Sequence, residues 1–177
     1  MMNELIEAIV ERLQGELGGE FDAGVGCPDL ARNPRLYALG KGLEVEVLSL
    51  GFSQTAGAGI LKPYYYLAIL LRASKMHAEG KAVVDAAAER IVNALHRERL
   101  ADLTVLFSKA VRCHEKHVVQ LTTRSLTLDP KDGDCVEALF FYASPLTASQ
   151  LQSQGATLLD ANPSPQVVVI NGDGIWD

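Results

Sequence analysis

The sequence has few of the residues that would form disulfides in a small fold or bind metal ions. It contains three cysteines among 177 residues, Cys27, Cys113 and Cys135, an odd number without regular spacing. Such usage is typical of a reducing compartment rather than of a disulfide framework. A single domain of this length buries roughly 70% of the surface of its unfolded chain, so its core needs no disulfide or structural metal.

Long apolar runs and basic clusters are also missing. The longest apolar stretch, Tyr64 to Leu71, is too short to cross a bilayer, and the N-terminal MMNELIEAIVERLQ is acidic and amphipathic, unlike a secretion signal. The net charge is −6, and Glu98 interrupts the densest basic patch, residues 96–99. Nucleic-acid binding rests on Lys and Arg at phosphates, so sequence-specific DNA or RNA binding is disfavoured. We expect a soluble protein first used in a cytoplasm.

Two segments have the periodicity of amphipathic helices. In residues 3–17 the apolar side chains fall at helical spacing, and Gly18-Gly19 ends the pattern. A second apolar stripe runs from Glu79 to Leu95 through alanines that favour a helix and permit close packing on a sheet. The charged residues 96–99 follow and are expected to complement the helix dipole. Residues 20–34, with two glycines and two prolines, indicate an irregular connection.

Strand patterns fill most of the remaining core. Leu43 to Val47 alternates apolar and acidic residues, and Tyr64 to Leu71 is apolar in both phases, which predicts a half-buried strand and a central one. We expect them to pair as a long hairpin with a flexible tip at residues 53–59. Three further strands are predicted. They cover Leu103 to Phe107, residues 119–128 with a bulge or bend at 122–125, and Val136 to Tyr142.

The order helix, two strands, helix, three strands predicts an α+β fold. We expect a mostly antiparallel sheet of about five strands packed against two main helices, with a C-terminal extension. The core covers residues 1–143 and the extension residues 144–177.

The extension combines a short helix with an apolar strand. Ser144-Pro145 can start a helix anchored by Leu146 and Leu151. An apolar run and a tryptophan follow, and they are costly to leave exposed. The run therefore either adds an edge strand to its own sheet or reaches a neighbouring subunit. The candidate interface residues are Val167, Val168, Val169, Ile170 and Trp176.

The chemical motifs are all incomplete. The segment Cys113 to His117, CHEKH, lacks the HExxH spacing of a zinc protease and a second ligand pair, so it indicates a polar turn between strands. The glycines of residues 55–61 precede a strand, not the helix that a phosphate loop needs. The acidic residues 129–134 lack the ligand positions of an EF-hand and indicate a turn. We predict no catalytic residue, no metal and no cofactor.

The element order carries a family resemblance. The N-terminal helix is followed by the loop RNPRLYALGKG, the strands LEVEVLSLGFSQ and YYYLAILLRAS, and the helix GKAVVDAAAERIVNALHRERL. Across residues 1–143 this pattern resembles the tail terminator, or tail completion, proteins of tailed phages, especially the minor tail family of Mu-like contractile phages and tailocins. The extension after Ser144 departs from the compact members.

The resemblance implies a structural protein rather than an enzyme. Its members form a homo-oligomeric ring, taken as a hexamer, that caps the tail tube. The implied partners are the tail tube, the sheath protein and a neck or connector protein. The implied location is the head-proximal end of the virion tail, after assembly in the host cytoplasm.

An acidic lumen would let DNA pass through such a ring without adhering. Glu44 and Glu46 are the candidates for its lining, although a solvated strand face explains them equally well. Two other functions stay open. One is a head–tail connector or baseplate component with a similar core. The other is a small enzyme whose site is assembled from dispersed residues such as His77, His114, His117 and Asp129.

Overall fold

Two helices and nine strands form the described part of the chain. The computed structural model describes residues 2–18, 21, 23–26, 43–57, 60–73, 80–120, 125–130, 135–147, 149–150 and 167–170. The helices are α1 (Met2–Leu17) and α2 (Gly80–Leu95), and the strands are β1 (Ala23–Gly26), β2 (Leu43–Gly57), β3 (Ile60–Ala73), β4 (Arg99–Leu100), β5 (Leu103–Cys113), β6 (His117–Gln120), β7 (Ser125–Leu128), β8 (Cys135–Ser144) and β9 (Val167–Ile170).

The main sheet is mostly antiparallel, and the predicted α+β class is confirmed. Its strand order is β1-β2-β3-β8-β5-β4, and β9 also pairs with β5. All pairs are antiparallel except β1 with β2 and β5 with β9. Strand β3 lies between β2 and β8, as its two-sided apolar pattern predicted. Both parallel pairs lie at the edges of the sheet.

Helices α1 and α2 cover one face of this sheet. Helix α1 buries one side through Leu5, Ile6, Ile9, Leu13 and Leu17, which share the predicted stripe. The helix ends at Leu17, and the amide of the following Gly18 donates to the Gln14 carbonyl at 3.0 Å. A Cβ at position 18 would lie 2.7 Å from that oxygen, so only glycine fits without a shift. The predicted helices agree with the structure to within one residue.

A separate two-stranded sheet packs on the opposite face. Residues 119–128 do not form one bent strand as predicted, because β6 and β7 are antiparallel partners in a hairpin. Buried and exposed residues alternate within each strand. The side chains of Val119, Leu126 and Leu128 all pack against the main sheet. The change of phase in the sequence thus marks a reversal of the chain. The residues that join the two strands, 121–124, lie outside the described ranges.

The β2–β3 hairpin extends beyond the sheet. Its pairing runs from Leu43 opposite Ala73 to Gly57 opposite Ile60, whereas β8 pairs with β3 only from Tyr65 onward. The predicted flexible tip is therefore largely strand, up to residue 57. A bulge at Gly51, which has a φ of 105°, lies where the hairpin leaves the sheet. The hairpin forms an arm from residue 52 to residue 64.

Two connections differ from the predictions. Residues 23–26, inside the segment expected to be irregular, form β1; its AGVG sequence gives no strand signal because two of its four residues are glycine. Ser144, where the short C-terminal helix was expected to start, is still paired within β8. Thr147 and Gln150 exchange hydrogen bonds of 2.8 and 3.2 Å in the pattern of a capping box, and residues 149–150 have helical backbone. Leu151 lies outside the described residues.

Truncation of Ile9 tests the packing of α1. The side chain is fully buried between the helices and the sheet. We expect Ile9→Ala to lower the free energy of unfolding by about 2–5 kcal/mol, because it leaves a cavity. Glu11→Ala, on the exposed side of the same helix, should change it by less than about 0.5 kcal/mol. Urea denaturation of both variants measures the difference, and equal losses would contradict this packing.

Candidate functional site

A buried ion pair joins the sheet to α2. Arg112 of β5 and Glu137 of β8 are register partners on the helix-covered face. The Arg112 Nη2 donates to Glu137 Oε2 at 2.9 Å and also to Asp85 Oδ1 of α2. Arg112 is 5% exposed and Glu137 is fully buried, whereas the Asp85 side chain is about half exposed. One guanidinium thus bridges two strands and a helix.

Two atoms of this pair lack a hydrogen-bond partner among the described residues. Within the described ranges, Glu137 Oε1 and Arg112 Nε are buried without a hydrogen-bond partner. Burial raises the pKa of Glu137 above its ordinary value, and the hydrogen bond from Arg112 only partly opposes this effect. Burial alone would lower the pKa of Arg112, but its bonds to Asp85 and Glu137 raise it. A buried carboxylate oxygen with no donor is costly.

A groove opens above this pair, between α2 and β5. Its volume is about 360 Å³. Carboxylates of three residues contribute its acidic part, and aliphatic or aromatic side chains form most of its walls. The lining residues are Asp85, Ala88, Glu89, Val92, Asn93, Phe107, Ala110, Glu137 and Leu139. Sequence reasoning did not find this site, because its residues come from three separate elements and match no motif.

The outer edge of β5 carries the candidate interface strand. Residues 110–113 of β5 pair in parallel with Val167, Val168, Val169 and Ile170 of the same chain. The strand therefore lies on its own sheet, one of the two arrangements expected from the sequence. Trp176 lies outside the described residues. A role for these residues between subunits stays a prediction.

The opposite edge of the sheet is β2. Strand β1 pairs only with residues 43–46, and no other described strand pairs with the outer side of residues 47–57. Glu44 and Glu46 lie at the covered end of this edge, on the face away from the helices, and both are partly buried. Glu44 is the register partner of Arg72 on β3. Their proposed place in a lumen stays a prediction.

The charged residues after α2 form hydrogen bonds that link the end of the helix to β4 and β5. The Phe107 amide donates to His96 Nδ1 at 3.0 Å, and the Arg97 amide donates to the Val105 carbonyl at 2.7 Å. Arg99 donates to Thr104 Oγ1 at 3.0 Å. These groups follow the end of α2 and form specific hydrogen bonds; the expected complement to the helix dipole stays a prediction.

The histidine-containing segment is a turn, as predicted. Residues 114–116 are exposed between β5 and β6, whereas His117 is buried against the sheet. Burial raises the pKa of the neighbouring Cys113 to about 11. His77 lies outside the described ranges. Among the residues with described positions, no three His, Cys, Asp or Glu side chains form a group that could hold a metal ion.

Comparison with solved structures gives a likeness of fold. No family model matches the sequence, and no curated protein matches it. A chain of the solved structure titled "Virion of native gene transfer agent (GTA) particle" has a similar fold, with a TM-score of 0.50 and 15% sequence identity. The match covers 81% of this chain and 95% of that chain. At this identity the likeness establishes a shared fold.

In the described ranges, neither helix is long and apolar enough to span a membrane.

The ion pair predicts strongly non-additive mutations. Glu137→Leu leaves Arg112 buried with only Asp85 as its acidic partner, and we expect a loss of about 3 kcal/mol or more in the free energy of unfolding. Arg112→Met should lower the free energy of unfolding by a similar amount, because it leaves the carboxylate of Glu137 buried without a cation. The double variant should lose less than either single variant. Urea denaturation tests this double-mutant cycle, and a double loss equal to the sum of the single losses would contradict the coupling.

His96 predicts a pH dependence of stability. Burial, and to a lesser extent Arg97, lower its pKa in the fold below the ordinary value of 6.5. The unfolded chain therefore binds more protons just below pH 6.5, and the free energy of unfolding falls as the pH decreases through this window. His96→Asn retains an acceptor but does not titrate. Between about pH 7.5 and about pH 5, the free energy of unfolding of the wild type should fall more than that of the variant. Parallel melting curves measure this difference, and identical pH profiles would argue against it.

Proposed function

We propose that this protein is a structural subunit of a phage-like particle, in which it forms a ring that caps the tail tube and joins it to the neck or head. The observation that carries the proposal is the shared fold with a virion chain across 81% of this protein and 95% of that chain. The element order supports the same role, since it resembles tail terminator proteins. The proposed location is the head-proximal end of a contractile tail, after assembly in the host cytoplasm.

The two edges of the sheet suit head-to-tail assembly. The β2 edge and the β5 edge lie on opposite sides of the main sheet. Contacts between unlike surfaces generate a closed ring when the rotation between subunits closes. An exposed strand edge can also pair with another chain through its main-chain groups. We therefore propose a hexamer in which one copy's β2 side faces the next copy's β5 side.

The extension provides a segment that can be exchanged between subunits. In this proposal residues 1–143 form the ring body and residues 144–177 act as an assembly arm. The segment 145–166 joins β8 to β9, and β9 pairs with β5 only through the last four residues of that strand. The same main-chain pairs can form with the β5 of a neighbour, because the edge presented is identical. Val167 to Ile170 and Trp176 are the proposed contact residues.

The negative net charge of the protein suits the passage of DNA through the proposed ring. The net charge is −6, and like charge on a channel wall keeps a polyanion from adhering. Glu44 and Glu46 are proposed to line the lumen, on the face away from the helices. The partners in this proposal are the tail tube, the sheath and a neck or connector protein.

Mass measurement tests the ring. We expect light scattering across a concentration series to give a discrete species of six chains of 19.1 kDa, about 115 kDa. If β9 is exchanged, deletion of residues 166–177 should shift this species toward monomer, because the main-chain pairs between subunits are lost. Unchanged oligomerisation of the deletion would rule out exchange. A strictly monomeric protein that also fails to bind tail tube ends in electron micrographs would overturn the proposed function.

A further inference from the structure

The outer edge of β5 is closed along most of its length by contacts within the subunit. Strand β4 pairs with the first two residues of β5, and the main chain of residues 97–98 forms hydrogen bonds of 2.7 and 2.9 Å with Val105. The Phe107 amide donates to the His96 side chain. Strand β9 then pairs with residues 110–113. Because an uncovered strand edge is a template for another chain, these contacts keep the β5 edge of a single subunit from pairing with a neighbour.

The two segments that cover this edge differ in how they are held. Residues 96–100 follow α2 directly and lead into β5 through residues 101–102, so they stay with the body of the subunit. Strand β9 is joined to β8 by residues 145–166 and contributes only four residues. It pairs in parallel, the arrangement that is slightly less stable per residue. Strand β9 is therefore the segment that can leave the edge while the rest of the sheet stays intact.

The start of the connection to β9 is fixed on the body of the subunit. Arg99 donates to the carbonyls of Pro145 and Leu146 at 3.1 and 3.5 Å. The Leu146 amide donates to Ser144 Oγ at 3.2 Å, and its side chain packs against a buried cluster that includes Tyr142. Release of β9 would therefore free the chain only beyond this point, and the extension would still leave the body at the same place.

The length of the connection favours the subunit's own β5 in dilute solution. Ser144 is the register partner of Thr104, and β9 begins opposite Ala110, which is about 20 Å further along β5. Residues 147–166 can span up to about 66 Å. Tethering of this kind gives an effective concentration on the order of millimolar at the site. The β9 of a second copy therefore competes only when the subunits are held close together.

We propose that β9 keeps the β5 edge of the free subunit closed, and that the ring forms only as each β9 leaves its own β5 for the β5 of a neighbour. The occupant of the opened edge is then Val167 to Ile170 of a second copy. The main-chain pairs lost in one subunit are regained in the next, so the exchange costs little free energy. Contacts between the subunit bodies then decide whether rings form. The inference rests on the proposed ring and states how its assembly is controlled.

A disulfide between β5 and β9 tests this control. Ala110 and Val167 are register partners, and neighbouring strands lie about 4.8 Å apart, within the Cα separation that a disulfide spans. Ala110 also lines the groove beside α2, which has room for an added sulfur atom. We expect the variant with both Ala110→Cys and Val167→Cys, oxidised in dilute solution, to be linked within one chain. Light scattering should then show a species near 19.1 kDa, with self-association weakened about tenfold or more. Reduction should restore the assembly of wild type.

Matched controls separate the effect of the link from that of the substitutions. Ala110→Cys alone and Val167→Cys alone are oxidised in parallel with wild type, which keeps its own three cysteines, and each should assemble like wild type. A mixture of the two single variants, oxidised after assembly, should give chains linked in pairs, because the β9 of one copy then lies on the β5 of the next. Electrophoresis without reductant distinguishes links within a chain from links between chains. Melting curves of the reduced proteins establish that each variant is folded.

The outcomes distinguish this inference from the proposed function. Rings of normal mass from protein that is linked within one chain would overturn the control by β9 while leaving the ring intact. A double variant that cannot be linked within one chain, or a mixture that gives no linked pairs, would also overturn it. If wild type assembles only on tail tube ends, binding to those ends replaces light scattering in the same comparison. A wild type that neither forms rings nor binds tail tube ends would overturn the proposed function and this inference with it.

Discussion

The need to cover strand β8 on both faces governs the architecture. All ten residues from Cys135 to Ser144 are buried, so neither side of this strand faces solvent. The two helices pack on one side, and the β6–β7 hairpin with its apolar residues packs on the other. The three layers follow from this single requirement, since apolar surface left in water costs about 25 cal/mol per Å². The edges of the main sheet are consequently the parts of its strands that the covering layers leave accessible.

The sequence predicted the elements whose periodicity is strong. Both helices and the strands β2, β3 and β8 were found, because burial on one or two faces imposes a repeat that composition reveals. Strand β1 was missed, since its short AGVG sequence carries no such repeat. The β6–β7 hairpin was read as one bent strand, because a change of phase occurs at a bulge and at a reversal alike.

The candidate site was beyond sequence reasoning for a different reason. Arg112 and Glu137 are 25 residues apart, and Asp85 is 27 residues before Arg112. Only the register of β5 against β8 and the placement of α2 bring them together. Their residue types are ordinary on a solvated surface, and burial is what gives them chemical significance. The C-terminal strand was correctly found, whereas its partner strand depended on the topology.

The two thiols at the end of β5 and the start of β8 have a consequence for the response of the fold to oxidants. Cys113 and Cys135 are both buried, and burial raises the pKa of each above its ordinary value. The thiolate is the form that oxidants attack, and it is scarce at neutral pH when the pKa is this high. We therefore expect both sulfur atoms to react slowly with oxidants, and the packing of β5 against β8 to be the same in air and under reducing conditions.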